Sequence, residues 1–109
     1  MIIRFTRGNW DRFFGKNKKS TFRIKPKKIG HYNVYGGSYY KPVKFGELNI
    51  TKVEQGKKLK DLTEQDAIDD GFDTLEELKK EVNRLNKITG ETMLYKHWVN
   101  NIRKLLEMS

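Results

Sequence analysis

Two hydrophobic rhythms divide the chain. In the first half apolar residues tend to recur at every second position. Ile2, Ile3 and Phe5 form a short apolar run, a strand over residues 1–5 that Gly8 ends. Over 20–24, Phe22 and Ile24 share one strand face while Thr21, Arg23 and Lys25 share the other. Residues 31–40, HYNVYGGSYY, predict a β-hairpin turning at Gly36-Gly37. Residues 45–53 alternate again, with Leu48 and Ile50 on one face and Glu47, Asn49, Thr51 and Val53 on the other. Between the first two strands, Trp10, Phe13 and Phe14 fall on one side of a single helical turn capped by Asn9.

In the second half the period becomes helical. Thr63 with Asp66, and Thr74 with Glu77, are N-cap signatures, and Gly71 between them supplies the left-handed residue that ends the first helix. Leu75, Leu78, Val82, Leu85 and Ile88 make one stripe, predicting a helix over 75–88 that Gly90 stops. A closing strand is expected over 92–98. Val99, Ile102, Leu105 and Leu106 are spaced as a terminal helix over about 99–109. Strands first, then helices, then one more strand argue a single α+β domain with a small, mostly antiparallel sheet or barrel.

Charge changes this picture. The net charge is +9, but residues 1–60 carry 16 basic against 3 acidic side chains, +13, and residues 61–109 carry 7 against 11, −4. The first half therefore builds a basic face, the usual footprint of a nucleic-acid partner, or else only a soluble lysine-rich surface. Tyr32, Tyr35, Tyr39 and Tyr40 crowd the hairpin. Adjacent Tyr39 and Tyr40 face opposite ways on a strand, so base stacking and cross-strand packing are both open to them. The chain has no cysteine and no run of 18 apolar residues, and its start lacks a cleavage pattern. A cytoplasmic monomer without a membrane segment is expected.

Few groups are left for chemistry. His31 and His97 lack metal-ligand spacing, so no metal or cofactor is expected. Lys18 has cationic neighbours in Lys16, Lys19 and Arg23, which disfavour its charged form. A neutral lysine can take a proton from Thr21 and make its oxygen a nucleophile. Glu77 is the candidate carboxylate, with helix capping as its plain alternative.

These residues resemble the ASCH domain family of the PUA-like superfamily. The resemblance rests on Lys18, Thr21 and Arg23 as a Lys-x-x-Thr-x-Arg element, then on Leu62, Thr63, Asp66, Ala67, Gly71, Phe72, Leu75, Glu77 and Leu78 as a helical signature. It spans about residues 2–98. It implies a PUA-like β-barrel flanked by helices with a cleft between them, and RNA or a modified nucleoside or nucleotide as partner. One branch of the family hydrolyses N4-acetylcytidine with a Lys, a Thr and a Glu; another is ribonucleolytic. By resemblance Lys18 is the base, Thr21 the nucleophile, Glu77 the acid or orienting group, and Arg23 positions phosphate or substrate. Lys16, Lys19, Lys25, Tyr39 and Tyr40 join Arg23 as expected binding residues. The expected function is RNA or nucleotide binding, with amidohydrolysis as the alternative and ribonuclease activity behind it. Three features depart from the family pattern: Gly30-His31 where Gly-Asp is common, the tyrosine-rich hairpin, and a longer C-terminal extension.

Overall fold

A computed structural model describes residues 1–86 and 89–105. Its elements are β1 (Ile2–Arg4), α1 (Arg7–Gly15), β2 (Ser20–Arg23), β3 (Gly30–Gly37), β4 (Pro42–Val53), β5 (Lys57–Lys58), a 3₁₀ turn (Leu59–Asp61), α2 (Glu64–Asp69), α3 (Leu75–Asn86) and β6 (Met93–Lys104). One sheet runs in the order β1-β3-β4-β6-β2, with β5 also on β6. β1 lies parallel to β3 and every other pair is antiparallel, so the sheet is mixed. The fold is α+β, a curled mixed sheet flanked by helices. No helix among the described residues is long and apolar enough to cross a membrane.

Two apolar clusters hold it together. The first packs Trp10 and Phe13 of α1 onto Ile3, Val34, Phe45, Leu48, Ile50 and Val99 of the sheet. Phe5 and Phe13 meet edge-on at 5.4 Å, and Trp10 and Phe13 at 5.6 Å. The helix is longer than a single turn and is capped by Thr6, whose hydroxyl accepts from the Asn9 amide at 3.2 Å, not by Asn9. Phe14 stays exposed. The second cluster packs Phe22 and Leu94 beneath Leu62, Ala67, Phe72, Leu78 and Val82 of the helical half.

The hairpin turns later than expected. Pairing continues through Gly36↔Val43 and Gly37↔Pro42, so the loop is 38–41. Gly36 is required for close approach: a Cβ there would lie 2.1 Å from the Phe45 ring.

The expected terminal helix is a strand through Lys104; residues 106–109 and Ile88 lie outside the described residues. The β4–β6 register slips between Glu47↔Arg103 and Asn49↔Asn100, which places an extra residue in β6, and Asn101 has φ 49° there. This bulge lets Val99 and Ile102 pack on the same cluster. A spacing of three, read as helical, is here a strand with one residue inserted.

α2 is fastened by charge. Asp66 closes a full capping box with Thr63. Its other contacts cross to the sheet: Lys96 Nζ of β6 donates to Asp66 Oδ1 at 2.9 Å and to Asp69 Oδ2 at 2.8 Å, and Lys57 Nζ donates to Asp66 Oδ2 at 2.9 Å. Burial raises the Asp66 carboxyl, but hydrogen bonds from Lys57, Lys96 and Thr63 outweigh it and hold the pKa at about 2. Burial likewise lowers Lys96, and Asp69 and Asp66 reverse the sign. Replacing Lys96 by Ala strands two buried carboxylates side by side, so Lys96→Ala is expected to cost about 3–5 kcal/mol in urea unfolding. The depressed Asp66 pKa stabilises the fold above its unfolded value of about 3.9. That stability is lost as pH falls from there toward about 2, which an acid titration of wild type against Asp66→Asn will show.

Candidate functional site

The site occupies the seam where the curled sheet stays open. β1 and β2 are the two ends of the strand order. The Arg23 guanidinium of β2 reaches across and donates to the Arg4 carbonyl of β1 at 2.6 Å. A cleft of about 480 Å³ opens there, lined by Arg4, Phe5, Thr21, Arg23, Tyr39 and Leu85 among others. Deeper, a recess of about 30 Å³ is lined by Lys18, Thr21, Asp70 and Glu81 with Asn9 and Phe22. Asn9, Thr21, Phe22 and Leu85 line both, so the recess is the floor of the cleft.

Local sequence explains how Lys18 gets inside. Asn17 takes φ 56°, a left-handed conformation that asparagine tolerates, and the chain doubles back so that Lys18 N–H donates to the Arg12 carbonyl at 3.1 Å. Lys18 is buried. Its Nζ contacts the Asp70 carboxylate and donates to the Asp70 carbonyl at 3.2 Å. Burial pushes the Lys18 ammonium well below the ordinary lysine range, Arg23 and Arg12 push it further, and Glu81 opposes them. The adjoining Asp70 carboxylate acts in the same sense as Glu81. Thr21 sits on β2 opposite His97 of β6, and its hydroxyl has no hydrogen-bond partner among the described residues.

Gly71 makes this meeting possible. With φ 81° it ends α2 and turns the chain, and its carbonyl accepts from Arg12 at 2.8 Å. A Cβ on it would sit 2.9 Å from Lys18 Cβ. The sharp corner therefore presents Asp70 directly to the lysine.

Glu81 is the second carboxylate of the recess. It accepts from Asn9 Nδ2 at 3.0 Å and from Arg84 Nε and Nη2 at 2.8 Å each. The Arg84 hydrogen bonds lower its pKa, burial opposes, and Asn9 adds to the lowering, so it remains ionised. Such a group orients and attracts; it does not donate a proton at neutral pH.

The expected site residues separate in space. Lys18, Thr21 and Arg23 line the cleft and its floor. Glu77 does not: it is exposed on α3, where its amide donates to Thr74 Oγ1 at 3.1 Å. The helical phase turns it outward and brings Glu81, one turn later, into the recess. Lys16 and Lys19 are exposed and face Asp73 and Asp69 at 3.6 and 3.7 Å. Lys25 lies beyond β2 on an outer groove that also includes Arg23. Tyr39 stands on the cleft rim beneath the Arg4 guanidinium at 4.8 Å, whereas Tyr40, 95% exposed, lines no part of it.

Asp70 and Glu81 are the carboxylates that the spacing did not single out. Each left a trace. Asp69-Asp70 puts two acids at a helix C-terminus, where the dipole disfavours them unless cations hold them. Glu81 interrupts the apolar stripe three residues after Leu78 and four before Leu85.

No family model and no curated protein matches the chain. Among solved structures it is similar to the crystal structure of protein EF3133 from Enterococcus faecalis V583, described by family model DUF984. That similarity has a TM-score of 0.66 at 17% identity and covers 94% of this chain and 71% of the other. At that identity it speaks to the fold alone.

Gly71→Ala meets a left-handed backbone and a crowded Cβ position together. It is expected to cost about 1–3 kcal/mol, read by chemical denaturation.

Proposed function

We propose that the cleft binds a nucleobase of RNA or of a nucleotide, in a PUA-like barrel of ASCH type, and that Lys18, Thr21 and Asp70 hydrolyse an N4-acyl amide on it. The observation that carries this reading is the recess: a buried lysine of lowered pKa, a hydroxyl without a partner among the described residues and a carboxylate against the lysine share one small floor. A cleft of about 480 Å³ suits a ligand of nucleoside size.

The chemistry follows from the groups. The neutral Lys18 amine takes the Thr21 proton as Oγ bonds to the acyl carbon. The resulting ammonium is stabilised by Asp70 and by ionised Glu81. The carbon–nitrogen bond then breaks, and the leaving amine takes the proton back from Lys18. Water, deprotonated by the Lys18 amine, attacks the acyl-threonine; the acyl carbon–Oγ bond breaks, the free acid leaves, and Thr21 Oγ takes the proton back from Lys18. Arg23, whose pKa burial lowers only to about 10, stays cationic, lines the same cleft as Thr21 and suits a developing oxyanion.

A second reading, binding without turnover, draws on Tyr39 and Arg4 at the rim and on the basic first half of the chain. It differs in outcome. Incubation with N4-acetylcytidine is expected to release cytidine and acetate, and Thr21→Ala is expected to lower kcat by about a thousand-fold or more with the fold intact. Equal turnover by wild type and Thr21→Ala would remove the nucleophile from Thr21. No turnover by wild type, with salt-dependent RNA binding retained, would leave the binding reading in place.

The pH profile is a further test. The reactive form of Lys18 is neutral, so kcat/KM is expected to rise with pH through its lowered pKa and then level off.

A further inference from the structure

One side chain of the cleft has its chemistry decided from behind. Asn9 lines both the cleft and its floor. It stands in the first turn of α1, half-buried, with its backbone amide held by the Thr6 hydroxyl. Its Nδ2 donates to Glu81 Oε2 at 3.0 Å. Glu81 is in turn gripped by Arg84, whose Nε and Nη2 donate to its two oxygens at 2.8 Å each.

The two ends of an asparagine amide are alike in size and opposite in role. An ionised carboxylate accepts and cannot donate, so Glu81 takes the amino end of Asn9. Oδ1 is the end left over, and it has no hydrogen-bond partner among the described residues. The other polar side chains of the cleft differ. Arg4 and Arg23 carry donors only, and the hydroxyls of Thr6, Thr21 and Ser38 serve as donor or acceptor. Asn9 therefore supplies a fixed acceptor. It also shares the recess with Lys18 and Thr21, so a base whose exocyclic group reaches Thr21 has that group beside Asn9.

Resting on the nucleobase reading of the cleft, we infer that Asn9 is the residue that reads the exocyclic group of the base, accepting an N–H through Oδ1, and that Glu81 and Arg84 are positioning residues that keep this acceptor turned toward the ligand. An amino or acylamino group supplies the N–H. A carbonyl at the same place sets two acceptors against each other with no donor between them. The site thus takes amino-bearing bases and their acyl derivatives and rejects the carbonyl isosteres.

The test titrates isotope-labelled protein with cytidine and with uridine, and NMR amide shifts give both dissociation constants without turnover. Wild type is expected to favour cytidine by about ten-fold or more, the cost of an unmatched acceptor pair. Asn9→Ala is expected to lose most of that preference. The two bases also differ at N3, so the decisive reading is a cycle of variants. Glu81→Gln, nearly isosteric, presents an N–H and lets the Asn9 amide turn over, so uridine is expected to bind several-fold tighter. In the double variant Asn9→Ala/Glu81→Gln that gain is expected to vanish. A uridine gain that persists without Asn9 would assign the choice to the Glu81 charge itself and overturn the inference. No gain in Glu81→Gln, no preference in wild type, or equal weakening of both nucleosides by Asn9→Ala would overturn it too. The nucleobase reading fails separately, and takes the inference with it, if neither nucleoside shifts the cleft resonances of wild type.

Discussion

The structure depends on placing a short acidic helix against a basic sheet with its charges buried. α2 and its C-cap carry Asp66, Asp69 and Asp70, all buried, and they meet two buried lysines from elsewhere in the chain. Lys96 reaches from β6 into the first two, and Lys18 from the loop before β2 meets the third. An isolated buried charge is costly, so removing one partner of such a pair is strongly destabilising. The apolar contacts of the second cluster, Phe22 and Leu94 against Ala67 and Leu78, close over the same helix. The position of α2, and through it of the whole helical half, is therefore set by ion pairs as much as by apolar burial.

That constraint also makes the site. Asp70 is the last acid before the left-handed Gly71, so the corner that ends the helix is the corner that carries the carboxylate. The same crowding that lets Gly71 pass over Lys18 shields the lysine from water and pushes its pKa down. The buried contact of Lys18 with Asp70 and the lowered Lys18 pKa are two consequences of one arrangement. The open seam supplies access: β1 and β2 are not paired, and the Arg23 side chain bridges them.

Much of this was legible in the chain. The N-cap at Thr63, the break at Gly71 and the stripe through Leu75, Leu78 and Val82 are local signals and appear where expected. Lys18, Thr21 and Arg23 came from one short segment; β2 carries Thr21 and Arg23, but Thr21 is buried as Phe22 is, and Ile24 lies exposed beyond the strand. What failed had non-local causes. Glu77 was chosen for its capping pattern, yet only packing of α3 on the sheet determines which turn of that helix faces inward. Val99 and Ile102 imitate a helix because a bulge at Asn101 restores their common face. Gly36 looked like a turn glycine but yields space to the Phe45 ring.

The sequence by itself determined the α+β class, the caps that start α2 and α3, the glycine break between them and the charge asymmetry, and it supplied Lys18 and Thr21 as candidates. These follow from short-range rules of capping, periodicity and backbone freedom. Only the tertiary structure decided that β1 runs parallel to β3, that the sheet stays open between β1 and β2, and that Asp70 and Glu81 rather than Glu77 complete the recess. Those outcomes depend on residues about 50 apart sharing one buried volume, as Lys18 and Asp70 do across 52 positions. No local pattern encodes which distant partner will relieve a buried charge.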